Sequence, residues 1–224
     1  MTKSSIALAA AVAAALTSSA AVAEVTANAG IYSNYIWRGV SQTQDQAAGQ
    51  GGIDWSGGPG FYAGTWLSNV DFDGSGGGGY EMDVYGGWAG EAGSFGWDLG
   101  VITYQYPTDP SNLNFTEVYA TGSFVGLTVG AYLTVDKASG LTDTRGDDDV
   151  YLYGAYDFTA KDIDYSIYIG NYAFDADSSG DYTHYGASIG KDGFSFAVDK
   201  NDIEGGNADN VRFTVGYSVD FDLM

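Results

Sequence analysis

The chain has 224 residues, with 29 Asp+Glu against 8 Lys+Arg, a formal net charge of −21, 34 Gly, 18 Tyr and no Cys. So acidic a chain lacks the Lys/Arg footprint that a phosphate backbone requires, which excludes nucleic acid as a partner. Without Cys there are no disulfide scaffolds, thiolate zinc sites or cysteine nucleophiles, and an aromatic content of 15% is foreign to a disordered acidic tail.

Residues 1–23 read as a cleaved secretory signal. Lys3 supplies the positive start, Ile6 to Leu16 is an unbroken apolar run, and Ala21-Val22-Ala23 is a small-x-small cleavage site. The run is too short for a membrane-spanning helix, which needs about 20 residues. Residues 24–224 form the expected single domain, and they hold no second long apolar run. That domain is therefore soluble, or it crosses a membrane as a barrel.

From Glu24 onward the chain alternates apolar and polar residues with a period of two. The last segment shows this most plainly: Val211, Phe213, Val215, Tyr217, Val219, Phe221 and Leu223 share one face, and Arg212, Thr214, Gly216, Ser218, Asp220 and Asp222 the other. The pattern predicts about twelve strands, at 25–40, 46–56, 60–70, 80–90, 94–106, 113–122, 126–136, 149–158, 163–173, 181–190, 194–200 and 210–222. Connections after even-numbered strands are short, as in Gly57-Gly58-Pro59 and Lys191-Asp192-Gly193. Those after odd-numbered strands are generally longer and polar, as in Asp71 to Gly79 and Asp202 to Asp209.

Alternating short and long connections point to an all-β, antiparallel transmembrane barrel of the outer membrane, with short periplasmic turns and longer external loops. Trp37, Trp66, Trp88 and Tyr106 are expected to form its interfacial aromatic girdles. The competing fold is a secreted β-sandwich, whose strands alternate in the same way. Its opposite face would not be expected to be so rich in Gly, Ser and Thr with isolated charges, as a barrel lumen is.

The run Asn28-Ala29-Gly30-Ile31-Tyr32-Ser33-Asn34-Tyr35-Ile36-Trp37-Arg38-Gly39-Val40-Ser41-Gln42 resembles the opening motif of the TorF family of outer-membrane proteins assigned as porins. Further matches follow in order at Gly60 to Trp66, Ser68-Asn69-Val70, Tyr104-Gln105-Tyr106-Pro107 and Phe115 to Tyr119, with a later echo at Asp181 to Gly186. The resemblance implies a Gram-negative outer-membrane barrel, set among outer-membrane lipid and lipopolysaccharide, and lends fold and location more than substrate. Assembly into a homo-oligomer is left open.

Charged residues are costly on a lipid-facing strand position, so alternation sends Arg38, Glu81, Asp83, Asp98, Glu117 and Arg212 inward as candidate pore-lining residues, with Asp164 and Asp199. They are expected to line a narrow path for small hydrophilic solutes or ions, with the acids preferring cations. Alternatively, Arg38 or Arg212 pairs with a carboxylate and the lumen is plugged, leaving a structural or surface-interaction barrel that acts through its acidic external loops. Asp71 to Gly76 and Asp147-Asp148-Asp149 offer hard oxygens for a divalent ion, but without the spacing of an EF-hand a solvated loop is the better reading. Arg145-Gly146-Asp147 spells an adhesion tripeptide, too short a signal to build on. His184, the single histidine, points inward without a nucleophile elbow in the chain, so no enzyme and no cofactor is expected.

Overall fold

The computed structural model describes residues 23–72, 79–109, 113–138, 148–175, 178–205 and 207–224. Twelve antiparallel strands close into one barrel. In chain order they are β1 (Glu24–Tyr32), β4 (Ala48–Gly57), β5 (Phe61–Val70), β6 (Gly79–Ala92), β7 (Phe95–Gln105), β8 (Phe115–Phe124), β9 (Leu127–Lys137), β10 (Val150–Ala160), β11 (Ile163–Ala173), β12 (Tyr182–Lys191), β13 (Phe194–Asn201) and β14 (Arg212–Asp222). Each strand pairs with its sequence neighbour in the wall, and β14 returns to β1 through Thr26↔Asp222 to Tyr32↔Gly216. Two further short strands, β2 (Ile36–Trp37) and β3 (Val40–Ser41), pair only with each other.

Those two strands correct the expected first strand at 25–40. β1 stops at Tyr32, and β4 pairs directly with it from Tyr32↔Ala48 onward, so residues 33–47 leave the wall altogether. The remaining strands lie within a few residues of their expected limits.

The turns at one end are tight because their residues take up left-handed backbone. Val125 and Gly126 have φ of 47° and 83°, and Asp192 and Gly193 have 50° and 84°. Two successive positive φ values make a type I′ turn, whose twist matches that of the strands it joins. The opposite end carries the long loops. Residues 73–78, 110–112, 139–147, 176–177 and 206 of those loops, and 1–22 at the start, lie outside the described residues. The expected cleavage signal, most of the two acidic loops and Arg145-Gly146-Asp147 fall there.

Parity decides what each face meets. Ile53, Val129, Ile167, Ile169, Phe213 and Val215 are among the outward residues, each more than half exposed. Apolar surface on this scale has no place in water, and it forms a belt suited to lipid. Among the described residues no helix is long and apolar enough to cross a membrane; here the strands make the crossing. Outward Trp55, Phe61, Trp88, Phe95, Phe124, Phe158, Phe194 and Tyr217 gather toward the short-turn end as an aromatic girdle. Of the girdle expected from the sequence, Trp88 belongs to it. Trp66 faces inward beside Asp83, its cross-strand partner, while Tyr106 is buried in a core cluster with Tyr35 and Trp37 packs against that cluster from the inner segment.

Inward glycines let tyrosine rings lie against the wall. A Cβ at Gly130 would sit 2.2 Å from the Tyr153 ring, and one at Gly186 would sit 2.5 Å from that of Tyr168. Each ring occupies the place a side chain would need, which accounts for so high a content of both residue types.

Candidate functional site in the barrel lumen

The lumen divides into two halves. Toward the long loops it is filled by residues 33–47, which fold inward as a hairpin. Trp37 pairs with Val40 across Arg38 and Gly39, whose φ values of 46° and 80° repeat the type I′ geometry of the wall turns. A two-residue tip thus carries the Arg38 guanidinium into the barrel.

Several contacts hold the hairpin to the barrel. Tyr35 donates its hydroxyl proton to Glu81 Oε1 at 2.6 Å. Arg38 makes a two-pronged pair with Glu117, Nη1 to Oε1 at 2.8 Å and Nη2 to Oε2 at 2.6 Å. Asn201 Nδ2 donates to the Gly39 carbonyl at 2.7 Å, and Asp71 N to the Gln42 carbonyl at 2.8 Å. Near the rim Arg212 Nε donates to Asp45 Oδ1 at 2.8 Å. Gly39 lies so close to β12 that a Cβ there would be 2.3 Å from His184 Cβ. Trp37 meets Tyr104, Phe115 and Tyr172 edge-on, and Tyr35 meets Trp66 in the same way. Tyr35, Glu81, Glu117, Tyr172 and Asn201 are at most 2% exposed, so water is excluded from this layer.

The guanidinium of Arg38 is enclosed by rings. Its central carbon lies 4.4 Å from the Trp37 centroid, 5.0 Å from Tyr132, 4.0 Å from Tyr151 and 4.8 Å from Tyr172. Rings at these distances attract a cation through their negative faces. Desolvating the charge is tolerable only because Glu117 takes both prongs of the fork.

Toward the short turns the inward residues are partly exposed tyrosines and carboxylates, and they line a vestibule. Tyr85 donates to Asp54 at 2.5 Å and Tyr62 to Asp98 at 2.6 Å, while farther from the short turns Tyr168 donates at 2.7 Å to Asp199, which lies opposite Arg212. Tyr119 donates in turn to the Tyr62 oxygen. Among the described residues, no inward position in this half is Lys or Arg. The Oδ1 of Asp83 is buried at the boundary between the halves without a hydrogen-bond partner.

All six residues singled out from the sequence face the interior. Glu81, Asp83, Asp98, Glu117 and Arg212 do so from the wall, as do Asp164 and Asp199, whereas Arg38 arrives on the hairpin. Glu117 and Arg38 are brought together, and so are Arg212 and Asp45; Asp98 stands apart in the vestibule. His184 accepts or donates through Nε2 to the Tyr151 hydroxyl at 2.8 Å and stacks on that ring, with no serine or other nucleophile in the pair. Sequence reasoning missed the ring cage of Tyr132, Tyr151 and Tyr172. The signal available was inward parity on three successive strands, β9, β10 and β11. The described residues include no group of three or more His, Cys, Asp or Glu that could hold a metal ion. A depression of about 610 Å³ sits on the wall where β4 is bare at Gly49 and Gly51, beside Ile53, Leu67 and Tyr80. It opens on the apolar side and leads to none of these groups.

Solved structures of similar shape are membrane barrels. The KdgM porin aligns over 91% of this chain and 100% of its own, at a TM-score of 0.52 and 11% identity. The same porin in complex with disordered oligogalacturonate aligns over the same shares at 0.53 and 11%. A structure from a study of in-meso crystallization of membrane proteins aligns over 89% of this chain and 84% of its own, at 0.56 and 8%. These likenesses establish the fold, a closed antiparallel β-barrel of the kind these membrane proteins have, and nothing of its cargo. No curated protein matches the chain. A family model matches residues 15–221, and by that match the chain belongs to the Gcw_chp family, described as bacterial proteins of unknown function.

Proposed function

We propose that the chain is an outer-membrane porin of a Gram-negative bacterium, exported by cleavage after residue 23, which passes small hydrophilic solutes or ions by diffusion and prefers cations. The resemblance of residues 28–42 to the TorF family is in keeping with this reading. The observation that carries the preference is the vestibule. Its inward carboxylates include Asp54 and Asp98, and no described inward residue of that half is Lys or Arg. Carboxylates set in a narrow path raise the local concentration of cations and repel anions. No chemical step is involved. Oligogalacturonate, held by the KdgM porin, is a polyanion, so the fold likeness does not extend to that cargo.

With residues 33–47 docked, the outer half of the lumen is filled, so passage requires the hairpin to move. The same burial supports a second reading, a permanently plugged barrel that acts through its acidic loops. Single-channel recording of the refolded chain (residues 24–224) under a KCl gradient separates the two. Discrete steps with a cation-selective reversal potential are expected. Anion selectivity would overturn the role of the carboxylates, and silence from folded protein would favour the plugged barrel.

A further inference from the structure

Glu117, Tyr132, Tyr151 and Tyr172 come from four successive wall strands, β8 to β11, and together they enclose a guanidinium. The wall supports this cage from behind. Tyr151 is fixed by its hydrogen bond to His184, and Tyr132 stacks on Tyr119 with centroids 4.9 Å apart. The guanidinium itself comes from a separate hairpin, continuous with the wall only at Tyr32 and Ala48, with Arg38 in the left-handed region. The ligand is tethered, and its receptor is built into the barrel.

We propose that this cage is a binding site for small guanidinium compounds, that Arg38 is its built-in occupant, and that a free guanidinium displaces Arg38 and releases the hairpin. The proposal rests on the reading of the lumen as a solute path and names the solute class that would open it. The chemistry is specific. A guanidinium presents two parallel N–H donors to one carboxylate and a flat face to the rings, whereas an ammonium is a compact, strongly hydrated charge that offers neither. The acidic vestibule below concentrates cations at the entrance to the cage. A tethered group competes at an effective concentration in the millimolar range, so the native chain responds only to millimolar ligand, and removing Arg38 removes the competitor.

The test is a titration of refolded Arg38→Ala with methylguanidinium, followed by calorimetry and by intrinsic tyrosine and tryptophan fluorescence. Saturable binding is expected, about tenfold or more tighter than to the native chain, and weakened by about tenfold or more when Glu117→Gln is added. Methylammonium should bind far more weakly. Equal binding by the single and double variants, or by methylammonium, would overturn the proposal, as would no binding to folded Arg38→Ala. If Arg38→Ala does not refold alone, low-millimolar methylguanidinium should restore its heat-modifiable folded band, and failure to do so would also overturn it. Conductance is read separately. Binding with silent channels supports the cage and sinks only the pore reading. Channels without binding do the reverse.

Discussion

Gly39→Ala tests whether the hairpin closes the barrel. Its added Cβ would meet His184 Cβ at 2.3 Å, more than 1 Å inside the usual carbon–carbon separation of about 3.5 Å. Neither atom is the flexible end of a side chain, so the hairpin tip must retreat. A retreat of that size stretches the 2.7 Å bond from Asn201 to the Gly39 carbonyl beyond hydrogen-bonding range, and both partners are buried. Leaving a buried polar group unpaired costs about 1–3 kcal/mol. Holding alanine at φ 80° adds about 1 kcal/mol or more. The docked state therefore loses about 2–4 kcal/mol, which at about 1.4 kcal/mol per decade favours the undocked hairpin by roughly 30- to 700-fold. Open probability in planar bilayers should rise accordingly, while the folded band in detergent gels persists because the wall is untouched. His184→Gly in the same chain removes the obstructing Cβ and should bring back much of the closure, whereas His184→Ala keeps that atom and should not. Conductance of Gly39→Ala equal to that of the native chain, with Asp71, Asn201 and Glu117 intact, would refute the idea that docking of this tip controls passage.

Other outcomes follow from the same geometry. Asp54→Asn with Asp98→Asn should shift the reversal potential toward zero without changing stability much, since each tyrosine keeps an oxygen acceptor; an unchanged potential would remove these residues from the path. Ile167→Arg places a guanidinium in the apolar belt at a residue that is 56% exposed, and should cost about 2–4 kcal/mol in urea unfolding from lipid vesicles. Asp45→Ala breaks the exposed rim pair with Arg212, which is worth less than about 1 kcal/mol, and also the 2.7 Å bond from the buried Asn34 Nδ2. The loss should be about 1–3 kcal/mol in urea unfolding, and no loss would show that this end of the hairpin is not anchored through Asp45.

Much of the barrel was legible because one face of every wall strand meets lipid. That demand imposes a period of two strict enough to count strands and to orient Glu81, Asp83 and Asp98 from their neighbours alone. Turn length was legible for a similar reason. Pairs such as Asp192-Gly193 admit positive φ and leave room for nothing longer. The aromatic girdle was misread because a tryptophan suits lipid, a membrane interface and a packed lumen alike. Trp66 shares parity with Tyr62, Gly64 and Ser68, and that inward company was a better guide than its residue type.

The hairpin escaped notice for a deeper reason. Residues 33–47 still alternate in character, but alternation identifies a face only where one side meets a different solvent. Inside the barrel both sides of the hairpin meet protein: Tyr35 packs on Trp66, and Trp37 on Tyr104, Phe115 and Tyr172, while Arg38 reaches Glu117. An apolar–polar pattern therefore resumes beyond Tyr32, and it predicts a strand that continues. Two local signals marked the departure. Ser33-Asn34 interrupts the apolar face, and Arg38-Gly39 stands between Ile36-Trp37 and Val40-Ser41 where a two-residue turn would fit. Arginine is a poor residue for positive φ, so the turn could not be read from propensity. Its φ of 46° is sustained by Glu117, 79 residues along the chain, and by rings on strands that close over it only once the barrel is complete. A conformation that depends on contacts so distant leaves only a faint local trace, and that is why the element on which the proposed gating turns is the one that period and propensity could not supply.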